Sequence, residues 1–140
     1  MLDSGSEISI LSSRAAQKLG LRGETVIIET IGVGGVSTQQ VTKKVNVTIE
    51  DKMGRKSTFE AIVLDKACGD ALQIPKDKLM KLCKKLSINP KTLYTNGGEV
   101  DLLLGMNVAQ LLEQTRLSED TAGCGIMETR FGLCIVGKVN

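Results

Sequence analysis

Val41, Val45, Val47 and Ile49 fall on one parity amid polar neighbours between Gln40 and Glu50. A two-residue period gathers into a single apolar face only if the chain is extended. Glu24–Ile31, rich in β-branched and apolar residues, reads as the strand before it, and Ser57–Leu64 as the strand after it, across the turn signal Asp51-Lys52-Met53-Gly54-Arg55. Two consecutive hairpins bury an apolar face only by building a sheet, so this part of the chain is expected to be an all-β sheet or barrel.

Shorter elements surround that run. Ser12–Gly20 has the pattern of a small helix, with Ser12 or Ser13 as N-cap, Gly20 as the stop, and Ala15, Ala16 and Leu19 expected to face inward. Asp65–Glu99 breaks the strand pattern. Within it, Lys76–Leu86 places Leu79, Leu82, Cys83 and Leu86 at helical spacing, while Lys76, Lys78, Lys81, Lys84 and Lys85 take the solvated face. After the turn Asn96-Gly97-Gly98, the run Val100-Asp101-Leu102-Leu103-Leu104-Gly105 reads as a strand buried on both faces, followed by a short helix packed beneath it. Leu117–Gly123 reads as a polar loop, and Gly125–Arg130 and Gly132–Val139 as two strands around a tight turn.

Composition removes several functions. Histidine is absent from all 140 residues, which excludes Ser-His-Asp and Cys-His nucleophiles and any histidine-containing zinc site. Cys68, Cys83, Cys124 and Cys134 are widely spaced with no C-x-x-C pair; buried free thiols in a reducing, intracellular compartment are expected, with no metal and no cofactor. The 18 basic residues nearly balance the 16 acidic ones, and Phe59, Tyr94 and Phe131 are the only aromatics. Without a strong field or stacking platforms, nucleic acid is not an expected partner. No apolar run is long enough to span a membrane, so no membrane partner is expected either.

Two stretches carry chemistry. In Leu2-Asp3-Ser4-Gly5-Ser6-Glu7-Ile8, a carboxylate stands on a turn that Ser4 can fix by hydrogen bonding and that Gly5 opens to close backbone approach. Alone, the same three residues Asp-Ser-Gly also make an ordinary turn. Gly32-Val33-Gly34-Gly35-Val36-Ser37-Thr38 is rich in glycine but lacks a Gly-Lys-Ser/Thr ending and leads into a strand. A nucleotide-binding loop is therefore a poor fit, and a mobile hairpin tip, a flap over something extended or a plain surface hairpin, a better one.

The order of these motifs resembles the retroviral-type aspartic proteases, the retropepsins, and within them most closely the peptidase domain of BEL/Pao-type retrotransposons. The residues that carry the likeness are Leu2-Asp3-Ser4-Gly5-Ser6, Lys18-Leu19-Gly20-Leu21, Val100-Asp101-Leu102-Leu103-Leu104-Gly105 and Glu128-Thr129-Arg130-Phe131-Gly132. The likeness implies one domain over residues 1–140, a closed, barrel-like β fold with two or three short helices and a helical insertion at about 65–99. It also implies an endopeptidase acting on a polyprotein or host protein. In that chemistry two carboxylates share a proton, activate a water and return the proton to the leaving amine. One Asp-Ser-Gly then implies a homodimer in which each subunit contributes Asp3, with Ser4 bonded across the dimer and Gly5 against the substrate backbone.

The same resemblance implies that residues 32–38 form the flap and that Leu104-Gly105 lies beneath the catalytic turn. Ile31, Gly32, Val33, Gly34, Gly35 and Val36, with Glu7, Ile8 and Gly105, would meet an extended polypeptide substrate. Two departures stand out. Retroviral members pair an acid two positions after the catalytic glycine with an arginine after Leu-Leu-Gly; here Glu7 is present and Met106 replaces the base. They also place a strand before the catalytic Asp, where this sequence has Met1 and Leu2: either residues that precede Met1 in the protein supply it, or the dimer is made differently, with Leu133–Val139 as the candidate strand. These departures support an alternative, a catalytically inactive fold kept for dimerisation or peptide binding.

Overall fold

A computed structural model describes residues 1–2, 5–71, 73–93, 97–119 and 125–136 of the chain. It is mainly β. In order come β1 (Ser9–Ser12), α1 (Ser13–Lys18), β2 (Glu24–Ile31), β3 (Ser37–Glu50), β4 (Lys56–Leu64) and α2 (Lys76–Leu86). A 3-10 turn at Pro90–Thr92 follows, then β5 (Leu102–Leu103), 3-10 turns over Met106–Leu111, and β6 (Gln114–Glu119), β7 (Gly125–Thr129) and β8 (Gly132–Val136).

The alternation in β3 decides how the main sheet packs. Val45 and Val47 are buried and Ile49 half-buried, while Asn46 and Thr48 between them are exposed. Val45 stands opposite Ala61 and Val47 opposite Phe59 on β4, so one face of the β3–β4 pair is apolar. That face packs with Leu11, Ala16, Leu104, Val108 and Leu111 into the principal core. Strand order is β2-β3-β4-β1-β5, with β1 parallel to β4 and antiparallel to β5.

A second, antiparallel sheet, β6-β7-β8, closes over α2. Leu79, Leu82 and Cys83 of the helix pack with Leu93 and Ile126, which is fully buried. The helix thus buries the face its spacing selects and leaves Lys76, Lys81, Lys84 and Lys85 exposed. The two sheets are tied at the β3–β4 turn, where Lys52 N donates to Arg130 O (3.0 Å) and Lys52 Nζ to Glu128 Oε1 (2.7 Å).

Several expectations are corrected. Leu19 is 63% exposed instead of inward, because the helix ends at Lys18 and Leu19 caps it. The Leu-Leu-Leu strand is only two residues long, with Leu103 and Leu104 buried and Leu102 half-buried. Leu117 belongs to β6, not to a loop, since β6 supplies the ladder that β7 needs on its free side. Cys83 is buried but Cys68 and Cys134 are half-buried, and Cys124 lies outside the described residues. Among those residues the strands form two sheets and no closed barrel is found.

Candidate active site

The centre of the site is the short strand β5. Met1-Leu2 runs along one side of it, with Met1 N donating to Leu102 O (2.9 Å), Leu104 N to Met1 O (2.8 Å), and Leu2 bridged in parallel to Leu104. On the other side β1 runs antiparallel, Ile10 opposite Leu103 and Leu11 opposite Leu102. Leu2 and Ser9 therefore flank the same strand, and the segment that joins them carries Asp3-Ser4-Gly5. Asp3 and Ser4 themselves lie outside the described residues.

The rest of that segment is held against the end of β5. Met106 N donates to Ser6 O (2.7 Å) and Asn107 N to Glu7 O (3.1 Å). Gly105 is buried directly beneath, so close that a Cβ there would stand 2.5 Å from the carbonyl carbon of Ile8 and 2.9 Å from Ser6 O. Only a residue without a Cβ fits this approach, which is why a glycine ends the leucine run.

Two side-chain systems fix the strands on which the turn stands, and of their residues only Ser12 had an expected role, as the N-cap of α1, which it fills. Near the turn, Ser9 is fully buried, and its Oγ accepts from Gly105 N (3.1 Å) while donating to Asn107 Oδ1 (2.8 Å). Asn107 Nδ2 in turn donates to Glu60 O on β4 (3.0 Å). At the far end, Ser12 Oγ caps α1 by accepting from Ala15 N (3.1 Å) and donates to Asp101 Oδ1 (2.8 Å). Arg14 forks onto both Asp101 oxygens at 2.9 Å and also pairs with Glu99. The hydrogen bond from Ser12 and then that from Arg14 hold the Asp101 carboxyl below the usual carboxylate range. The signal for both systems was a serine inside an apolar run: Ser9 and Ser12 are buried, and a buried hydroxyl needs a partner.

The glycine-rich hairpin stands away from the sheet. β3 pairs with β4 only from Lys43 onward, so residues before it pair with β2 alone, ending at Ile31 opposite Ser37. Gly34 and Gly35 turn the tip with φ of 87° and 77°, closed by Gly32 N to Val36 O (2.9 Å). Ser37 donates to the Glu29 carboxylate on the same ribbon. Ile31, Val33 and Val36 are all exposed, as are Glu7 and Met106; Ile8 is 40% exposed. Among the described residues no ion pair reaches Glu7, in keeping with methionine at 106. Of the residues singled out from the sequence, the structure brings Gly105 against the Ser6–Ile8 segment and keeps Ile31–Val36 together at the hairpin tip.

A groove of about 740 Å³ runs between β5 and the second sheet, lined by Leu2, Leu104, Ile49, Leu93, Phe131 and Leu133 among others. A smaller one of about 250 Å³, with Arg14, Asp65, Glu99 and Asp101 in its lining, lies beside α1. Neither includes Glu7, Gly105 or the 31–36 tip.

In a chain without histidine, the segment that carries Asp3-Ser4-Gly5 joins the two flanks of a Leu-Leu-Gly strand. A family model described as aspartyl protease matches residues 1–108, and the chain belongs to that family. Its general activity is accordingly that of an aspartic protease. The match takes in the five-stranded sheet and ends within the 3-10 turns after Gly105; the second sheet lies beyond it. Comparison with curated proteins returns no match, and comparison with solved structures returns none either.

Proposed function

We propose that the chain is a homodimeric endopeptidase of retropepsin type, related to BEL/Pao-type retrotransposon peptidases, in which Asp3 of each of two subunits supplies one carboxylate of a shared dyad. The observation that carries this reading is a single Asp-Ser-Gly in an aspartyl protease chain, whose flanking residues Met1-Leu2 and Ser6–Ile8 are anchored along β5 and against Gly105. A dyad needs a second carboxylate within hydrogen-bonding reach, and a two-fold axis beside the turn provides it. One carboxylate of the pair takes a proton from water as it attacks the peptide carbonyl; the other, protonated, polarises that carbonyl, and the leaving amine is protonated afterwards.

The two grooves described above include neither Glu7 and Gly105 nor the hairpin tip. A substrate cleft built between two copies accounts for that. The exposed Ile31, Val33 and Val36 give the flap an aliphatic underside, and an extended polypeptide enters as an added strand between flap and floor. The free edge of β8, paired only with β7 among the described residues, is the strand offered for dimer pairing. Residues 1–140 act as one intracellular domain, with 65–99 as its helical insertion.

The test is cleavage of a diverse peptide pool by wild type and Asp3→Asn at acidic to neutral pH. Cleavage that Asp3→Asn abolishes supports the reading. A dimer that binds peptides and cuts none returns the chain to a binding or assembly module.

A further inference from the structure

We propose that Asn107, acting through Ser9, is the positioning residue for the turn that carries Asp3. This deepens the functional reading above and rests on it. Asn107 joins three separate pieces of backbone. Its main-chain N–H holds Glu7 O in the turn (3.1 Å), its Oδ1 receives the Ser9 hydroxyl of β1 (2.8 Å), and its Nδ2 is anchored on Glu60 O of β4 (3.0 Å).

The chemistry requires an amide. Asn107 uses a donor and an acceptor on one short, planar group. A carboxylate could accept from Ser9 but would face the Glu60 carbonyl with no proton to give. Ser9, fully buried, makes the link one-directional: its single proton goes to Asn107, which leaves its lone pairs for Gly105 N (3.1 Å). Gly105 is the residue against which Ser6 and Ile8 are seated. Displacement of Asn107 thus releases the floor under the turn and one of the turn's own carbonyls together.

A shared dyad tolerates little error in the position of either carboxylate, and an error near 1 Å at a reacting group costs up to roughly 100-fold. Asn107→Ala and Asn107→Asp are expected to lower kcat by roughly 10- to 100-fold with little change in KM. Ser9→Ala should do the same, and the Ser9→Ala/Asn107→Ala pair should be no worse than either alone, because the two act as one unit. Ile126→Ala, in the second core, is the control: it loses stability and keeps kcat. Amide hydrogen exchange on the full chain gives a readout independent of turnover, with faster exchange at Gly105, Met106 and Asn107 expected in Asn107→Ala. If wild type cleaves, Asp3→Asn does not, and Asn107→Ala keeps wild-type kcat, the positioning role is overturned while the protease reading stands. If wild type cleaves nothing, the protease reading fails, and exchange still decides the brace: unchanged protection in Asn107→Ala overturns it, and lost protection upholds it.

Discussion

Ser12 and Asp101 are joined twice, Ser12 N to Asp101 O and Ser12 Oγ to Asp101 Oδ1, both at 2.8 Å. One serine thus caps α1 and clamps the chain as it enters β5, at the end of the strand pair opposite Gly105 and the Ser6–Ile8 segment. The Asp101 carboxyl is held below its ordinary range by Ser12 first and Arg14 second. A depressed folded-state pKa contributes stability above the unfolded value, near 3.9, and that contribution is lost as pH falls through the folded value. Wild type should therefore melt higher than Asp101→Asn by a constant margin from neutral pH down to about pH 5, with the margin shrinking below about pH 4. Thermal melts of both proteins across that range check this; a margin that widens on acidification would contradict it.

Gly105→Ala places a methyl group against the Ile8 and Ser6 carbonyls, and backbone cannot step aside as a flexible side chain would. The expected cost is about 1–3 kcal/mol, the usual range for overpacking. Because the displaced residues belong to the turn, peptide cleavage should fall further than stability does. Denaturant unfolding and cleavage assays on the same preparation separate the two.

At the hairpin tip the order reverses. Gly34→Ala and Gly35→Ala put side chains at φ near 80°, which strains each site by roughly 1–2 kcal/mol. The ribbon is exposed and, among the described residues, pairs with nothing beyond β3 and β2, so global melting should scarcely change. Cleavage should suffer, through a higher KM if the tip closes over substrate. Unaltered kinetics in both variants would make it a plain surface hairpin.

Ile126→Ala empties the best-buried position of the second core, between α2 and β7. A loss of about 2–5 kcal/mol is expected. Since residues 109–140 lie beyond the family match, the size of this loss also shows how firmly the second sheet is bound into the domain.

The sequence made some of this architecture legible and hid the rest for physical reasons. One-sided burial gave β3 its alternation over Val45–Ile49, so that part of its face could be read directly, as could the lysine-coated α2; Val41, on the same parity, is 67% exposed because it lies before the stretch paired with β4. β6 was missed because it is an edge strand whose Thr115, Arg116 and Leu117 are all exposed, leaving no apolar period to detect. Leu19 misled because helical spacing says nothing about where a six-residue helix stops. At the site, Gly105 and the hairpin glycines announced themselves by residue type. Ser12 was legible as an N-cap, but its clamp with Asp101 and Arg14 was not, nor was the link between Ser9 and Asn107, because these depend on partners about 90 or more positions away.

Everything turns on whether two copies of Asp3 meet. The direct measurement is solution mass and peptide cleavage for wild type and Asp3→Asn in one buffer. The expected result is a dimer of the same mass for both, with cleavage by wild type only. A monomer that cleaves, or an Asp3→Asn dimer that cleaves as well as wild type, would contradict the shared dyad.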